Sequence, residues 1–221
     1  MKTPIADRRS AGLALAQALM RATLPGPVVV LALPRGGVPI GAEISRALAA
    51  PLDLLLVRKI GAPWQRELAV AAVVDGEPPD IVVDAETMGL SGVDQAYIDA
   101  EVQGELEEIE RRRGVYLRGR VPLPLQGRTV IVVDDGIATG TTVRAALRAL
   151  RRRLPARLVL AVPVAPRDTV AALRKEVDDL FCLFAPEPFH AIGLHYDDFH
   201  QVSDGEVLLA LDAANAAAPT T

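Results

Sequence analysis

The chain has 221 residues, with 24 Lys+Arg against 28 Asp+Glu and a formal net charge of −4. That length suits one sizeable domain with a full core, and the mild acidity gives no general attraction for nucleic acid or anionic membrane. Aromatic residues make up only 4%, too few for an extended base-stacking platform, and Cys182 alone excludes an internal disulfide or a cysteine zinc cluster.

In chain order, residues 1–9 are polar and precede no apolar leader. Residues 8–23 carry helical spacing (Leu13, Ala16, Leu19, Met20), ended by Pro25-Gly26-Pro27. Residues 28–33 read as a buried strand, far shorter than the roughly 20 residues that span a bilayer. A turn at Pro34-Arg35-Gly36-Gly37 leads to a helix over 38–50, then to an apolar strand over 52–57 that ends at Arg58-Lys59. Residues 67–74 form a third candidate strand. From 75 to 126 the pattern breaks at Pro78-Pro79, Gly89, Gly92, Pro122 and Pro124, around a charged helix over 92–116. Residues 129–133 are a buried strand, followed by Asp134-Asp135-Gly136-Ile137-Ala138-Thr139-Gly140-Thr141-Thr142 and a helix to 153. A strand (158–164), a helix (168–175), a strand (180–184), an irregular stretch (186–203) and a helix (204–211) follow, and the tail 213–221 is expected to fray. Apolar runs of strand length alternating with helices predict one α/β domain over 1–221, built on a mainly parallel sheet with ligands at its carboxyl edge. A soluble, cytoplasmic protein is expected, with neither a membrane nor a nucleic-acid partner.

The chemistry concentrates at 130–142. A strand delivers two carboxylates, and a Gly/Thr-rich turn then opens a helix whose free N–H groups and dipole suit a phosphate. Gly136 and Gly140 allow positive φ or close approach to an anion. Two carboxylates beside an anion site repel the anion itself, so they suit sugar hydroxyls or a hard cation such as Mg²⁺. A Walker A loop is absent, because Gly136 and Gly140 enclose three residues and no Lys follows. The GxGxxG fingerprint is also absent, and adjacent aspartates do not match Asp-x-Asp phosphatases.

This segment resembles the phosphoribosyl pyrophosphate motif of type I phosphoribosyltransferases. Pro34-Arg35-Gly36-Gly37 is similar to the family's pyrophosphate loop, Arg58-Lys59 to its basic pair, and Gly127-Arg128 to the lead-in of its motif strand. Over nearly the whole chain, including Glu67-Leu68-Ala69-Val70 and residues 196–204, it looks most like a bacterial group of predicted phosphoribosyltransferases of unassigned acceptor.

The resemblance implies that fold, with about five strands, helices on both faces, a lid insertion (75–126) and a C-terminal hood (186–203). It implies that the backbone of Gly136, Ala138, Thr139, Gly140, Thr141 and Thr142 holds the 5′-phosphate. Asp134 and Asp135 would hold the ribose hydroxyls, directly or through Mg²⁺. Arg35, Gly36 and Gly37 would face the pyrophosphate, through a strained or cis peptide, and Arg58 and Lys59 would neutralise it. Asp134, Asp135, Arg58 and Lys59 would then be the catalytic set. Ala138 stands where 6-oxopurine enzymes of the family carry an acidic residue, which disfavours that acceptor.

The hood offers Phe189, Tyr196, Asp197 and Phe199 as an acceptor pocket, with His190, His195 and His200 in the same stretch. The 75–126 segment is expected either to close as a lid that brings Arg and Tyr116 over the pyrophosphate, or to serve as a dimer arm. Arg144, Arg148, Arg152 and Arg153 read as a solvated helix face, and Cys182 as inert core. The implied activity is transfer of a phosphoribosyl group to a small-molecule acceptor. A non-catalytic phosphoribosyl pyrophosphate-binding regulator and a sugar-phosphate hydrolase are the alternatives.

Overall fold

The computed structural model describes residues 5–76 and 78–217. Helix α1 (Arg8–Met20) begins at a capping box, in which the Ser10 N–H donates to Asp7 Oδ1 (2.6 Å) and the Asp7 N–H to Ser10 Oγ (3.1 Å). This cap makes Arg8 the first helical residue and aims it at the sheet edge. Strand β1 (Val28–Ala32) and helix α2 (Gly37–Leu48) follow, then the short strand β2 (Leu52–Leu54). After an intervening insertion come β6 (Thr129–Val133), α5 (Thr141–Arg152), β7 (Arg157–Val164), α6 (Arg167–Leu173), β8 (Asp179–Phe184) and α7 (Asp204–Ala217).

Five strands form a wholly parallel sheet in the order β2-β1-β6-β7-β8. Its central strands are unbroken apolar runs because helices cover both faces. Val30, Ala32, Ile131 and Val133 join the core beneath α1, α2 and α7, and Val29, Leu31, Val130 and Val132 join the one beneath α5. The register pairs Val28 with Thr129 and Ala32 with Val133, so β1 and β6 end level. The turn after β1 and the acidic pair after β6 therefore emerge side by side.

The insertion is a second sheet. Strands β3 (Val57–Ala62), β4 (Gln65–Val74) and β5 (Asp80–Val83) pair antiparallel in the order β3-β4-β5. Arg58 and Lys59 thus lie inside β3 and do not close β2, contrary to the sequence expectation. Helix α3 (Ala85–Ser91), capped by Asp84, precedes α4 (Gln95–Tyr116), capped by Asp94. Gly92, at φ 68°, separates the two; the sequence reads a helix only over 92–116, which is α4, and does not show α3.

The tail is also corrected. Helix α7 continues to Ala217, burying Val207, Leu211 and Ala214. Asn215 holds it down: its Nδ2–H donates to Leu52 O (3.0 Å), and its Oδ1 accepts from the Leu52 N–H (3.3 Å). These bonds cover the edge of β2. Residues 218–221 lie outside the described residues. Among those described, no helix is long and apolar enough to cross a membrane.

Candidate active site

The chain turns sharply after β1. The Leu33 N–H donates to Val133 O (2.9 Å), the Gly37 N–H to Leu33 O (3.0 Å), and the Pro34–Arg35 peptide is cis. This backbone lies directly on the acidic pair. A Cβ on Gly36 would overlap the Asp135 carboxylate, and one on Gly37 would lie 2.5 Å from Val133 O. Only glycine fits at either place.

Asp134 is half-buried, and its Oδ1 accepts from the Asp135 N–H (2.9 Å). Desolvation first, and the neighbouring Asp135 charge second, push its carboxyl well above the usual range. Burial also raises Asp135, against the pull of Arg8. Arg8 Nε and NH2 both lie 2.8 Å from Asp135 Oδ2, and Arg8 NH1 donates to His200 O (2.8 Å). The guanidinium sits 3.9 Å from the Phe199 ring centroid. Tyr196 donates its hydroxyl to Asp135 O (2.6 Å). Sequence reasoning missed Arg8, since no motif ties it to an aspartate 127 positions away.

Beyond the pair, Ile137 N–H donates to Val164 O (2.9 Å), and Thr169 Oγ1–H to Ala138 O (3.0 Å), which fixes the loop. Gly140 takes φ 78° as the residue before α5, where no side chain caps the helix. Its first amides have no intrahelical partner, and with the Thr141 and Thr142 hydroxyls they are donors of the kind that an anion accepts from. Gly136 serves another end: it has no positive φ, and a Cβ there would overlap Ile192 of the 186–203 segment.

Two clefts flank this floor. One, of about 400 Å³, runs from Ala138 and Thr139 past Arg167 and Asp168 to Glu187, Phe189 and His190. The other, of about 290 Å³, joins Arg8, Arg35, Gly36 and Asp135 to Phe199 and His200. In the sheet order, β6 carries the acidic pair between the turn after β1 on one side and the loops after β7 and β8 on the other.

Comparison with known proteins accords with this geometry. The family model described as "Phosphoribosyl transferase domain" matches residues 12–198. The chain belongs to the phosphoribosyl transferase domain family. Two Mycobacterium tuberculosis relatives, named "Putative phosphoribosyl transferase Rv0571c" (strain H37Rv) and "Putative phosphoribosyl transferase MT0597" (strain CDC 1551), are each 45% identical over 210 residues. That stretch is 95% of this chain but 46% of either relative, so the chain spans about half their length. The crystal structure of TT1426 from Thermus thermophilus is 40% identical, with a TM-score of 0.82, covering 94% of this chain and 97% of that one.

Within this phosphoribosyl transferase domain, the structure brings Arg35, Gly36, Gly37, Asp134, Asp135 and the 136–142 loop to one edge. It separates others. Arg58 turns away and pairs with Glu105 of α4 (Nε–Oε2 2.6 Å). Lys59 is not so separated: it lies opposite Ala72 on the other face of β3, the one turned towards α5, where Ala72 shares a cavity with Thr139 and Thr141. Of the expected acceptor pocket, Phe189 lines the larger cleft and stacks on His195 with centroids 5.2 Å apart. Tyr196 and Phe199 instead pack together beside Arg8, 4.9 Å apart, and exposed Asp197 is tied by its N–H to Ile5 O (2.9 Å).

Tyr116 is buried and donates to Asp204 Oδ1 (2.6 Å), which lies 3.6 Å from Arg35 NH1. Burial and this bond raise its phenol to about 12. It reaches the turn after β1 through Asp204 and does not lie over it. Arg144, read as solvated, borders a cavity of about 230 Å³ with Thr139 and Thr141, and its Nε is buried without a partner among the described residues. Arg148 and Arg152 are ion-paired to Glu176 and Asp80, and Arg153 donates to Asp75 O. Cys182 is half-buried on the edge strand β8, where desolvation raises its thiol.

The acidic pair does not fit a metal held by the protein. No group of three His, Cys, Asp or Glu suited to an ion exists among the described residues. Asp135 is already engaged by a guanidinium. A hard divalent cation wants several anionic or carbonyl oxygens. The pair is better made to accept hydroxyl groups.

Proposed function

We propose that the chain transfers the 5-phosphoribosyl group of phosphoribosyl pyrophosphate to a nitrogenous or other small-molecule acceptor, with release of pyrophosphate. The observation that carries this reading is the order of sites along the sheet edge. A glycine turn lies directly on the Asp135 carboxylate and the Asp134 backbone, and a helix start suited to an anion follows on the same loop.

The amides of 138–142 take the 5′-phosphate, Asp135 and Asp134 take the ribose hydroxyls, and Arg35-Gly36-Gly37 takes the pyrophosphate. The acceptor enters from the cleft beside Phe189, so nucleophile and leaving group approach C1′ from opposite sides of the acidic pair. The C1′–O bond breaks with its electron pair leaving on pyrophosphate. The acceptor nitrogen forms the new bond to C1′ and loses its proton to solvent. Positive charge growing on the sugar is stabilised by Asp135, and fixed orientation supplies much of the remaining acceleration. Mg²⁺ belongs to the substrate here, entering as the counter-ion of the diphosphate.

The test is pyrophosphate release from Mg²⁺ and phosphoribosyl pyrophosphate against a panel of bases, amines and metabolite extracts. Acceptor-dependent release is expected, with a loss of about a hundredfold or more in the double variant Asp134→Asn, Asp135→Asn while the fold is kept. Near-normal turnover in that variant would sink the assigned roles. Release without any acceptor would instead mean hydrolysis, and binding without turnover a regulator.

A further inference from the structure

Arg8 is 7% exposed, a rare degree of burial for a guanidinium. Its three partners come from two places. Asp135 Oδ2 accepts from two of its nitrogens, His200 O from a third, and the Phe199 ring lies against its flat face. One side chain thereby joins the start of α1, the acidic pair and the 196–202 segment. Both contacts to Asp135 fall on Oδ2, which leaves Oδ1 for a hydroxyl donor.

The same arrangement opposes a metal. A guanidinium 2.8 Å from the carboxylate holds the place where a divalent cation would stand, and its fixed charge repels a second cation at close range. Arg suits this task better than Lys, because its rigid plane sets two nitrogens on Asp135 Oδ2 and a third on His200 O at once.

We propose that Arg8 is a positioning residue that occupies the cation position at Asp135, keeping the acidic pair an acceptor of sugar hydroxyls and excluding a divalent ion that is not already bound to diphosphate. The sugar half of this statement rests on the phosphoribosyl reading; the exclusion of a free cation does not.

The exclusion is read with Mn²⁺ as the probe, from the loss of its free-ion resonance signal on titration with the full chain. Without phosphoribosyl pyrophosphate, the wild type is expected to leave Mn²⁺ free. Arg8→Met, which keeps an unbranched side chain without the charge, is expected to bind one Mn²⁺ at least about tenfold more tightly. Adding Asp135→Asn to Arg8→Met should remove that binding. Mn²⁺ bound by the wild type and lost in Asp135→Asn would overturn the proposal, as would Arg8→Met binding no more tightly than wild type.

Should Arg8→Met fail to fold, Arg8→Lys decides. It should still exclude Mn²⁺ but bind phosphoribosyl pyrophosphate about tenfold more weakly by calorimetry, since an ammonium cannot make the fork. Unchanged affinity in Arg8→Lys would count against positioning. A wild type that ignores phosphoribosyl pyrophosphate would refute the phosphoribosyl reading and leave the Mn²⁺ comparison standing.

Discussion

Asp134 and Asp135 are adjacent in sequence and opposite in circumstance. Asp135 has a guanidinium; Asp134 has one backbone N–H and a like charge beside it. Desolvation therefore raises Asp134 the more decisively, and the linkage has a definite sign. In the unfolded chain Asp134 ionises near 3.8, while the folded protein keeps its proton to higher pH. Above 3.8 the unfolded state releases a proton that the native state retains, so stability falls with rising pH across that window. Asn at 134 has no proton to lose, and its amide oxygen can still accept from the Asp135 N–H. Urea unfolding of Asp134→Asn should match wild type near pH 4 and become progressively more stable than wild type towards pH 7. A gap that does not change with pH would contradict the assignment. The carboxylates were legible in the sequence because two charges after an apolar strand demand a reason. Arg8 was not, because its partner is brought to it only by the folding of α1 against the sheet.

The elements differ in legibility for the same kind of physical reason. Strands β1, β6 and β7 announce themselves as continuous apolar runs because both faces are covered. Strands β3 and β5 do not: Arg58, Lys59 and Gly61 interrupt the first, and the second is four residues between Pro79 and Asp84. Helix α7 outran its expected end because Asn215 finds backbone partners on β2, which no periodicity reveals. Its start is better marked. The Ser203 N–H and Oγ–H both donate to Glu206 Oε2, at 2.8 and 2.7 Å, and Ser203 Oγ accepts from the Glu206 N–H (3.3 Å). Those bonds, joined by His200, hold the Glu206 carboxyl down at about 2. Removing the cap in Ser203→Ala should cost about 1 kcal/mol in urea unfolding. No measurable loss would show that α7 is held by its packing and Asn215 alone.

At the scale of the molecule, the 75–126 segment is where the sequence leaves two roles open, a lid or a dimer arm. Its residues complete both cores. Val82 joins the cluster beneath α5, and Val93, Ile98, Ile109 and Tyr116 join the one that holds Val30 and Ile131. Polar ties add to this: the Tyr97 hydroxyl donates to Gly61 O (2.9 Å), and Arg113 NH1 lies 3.6 Å from Asp75. Those ties lie within the insertion, so it is the shared apolar burial that couples the two sheets. The insertion should therefore unfold with the parallel sheet in one transition. Trp64, the sole tryptophan, sits exposed between β3 and β4 and reports on the insertion, whereas far-ultraviolet circular dichroism reports on the whole chain. The two urea curves should coincide in the wild type. Ile98, fully buried on α4, offers the perturbation: Ile98→Ala should lower global stability by about 2–4 kcal/mol and shift both curves together. A variant in which only the tryptophan curve moves would establish the insertion as an independent unit, able to move apart from the parallel sheet.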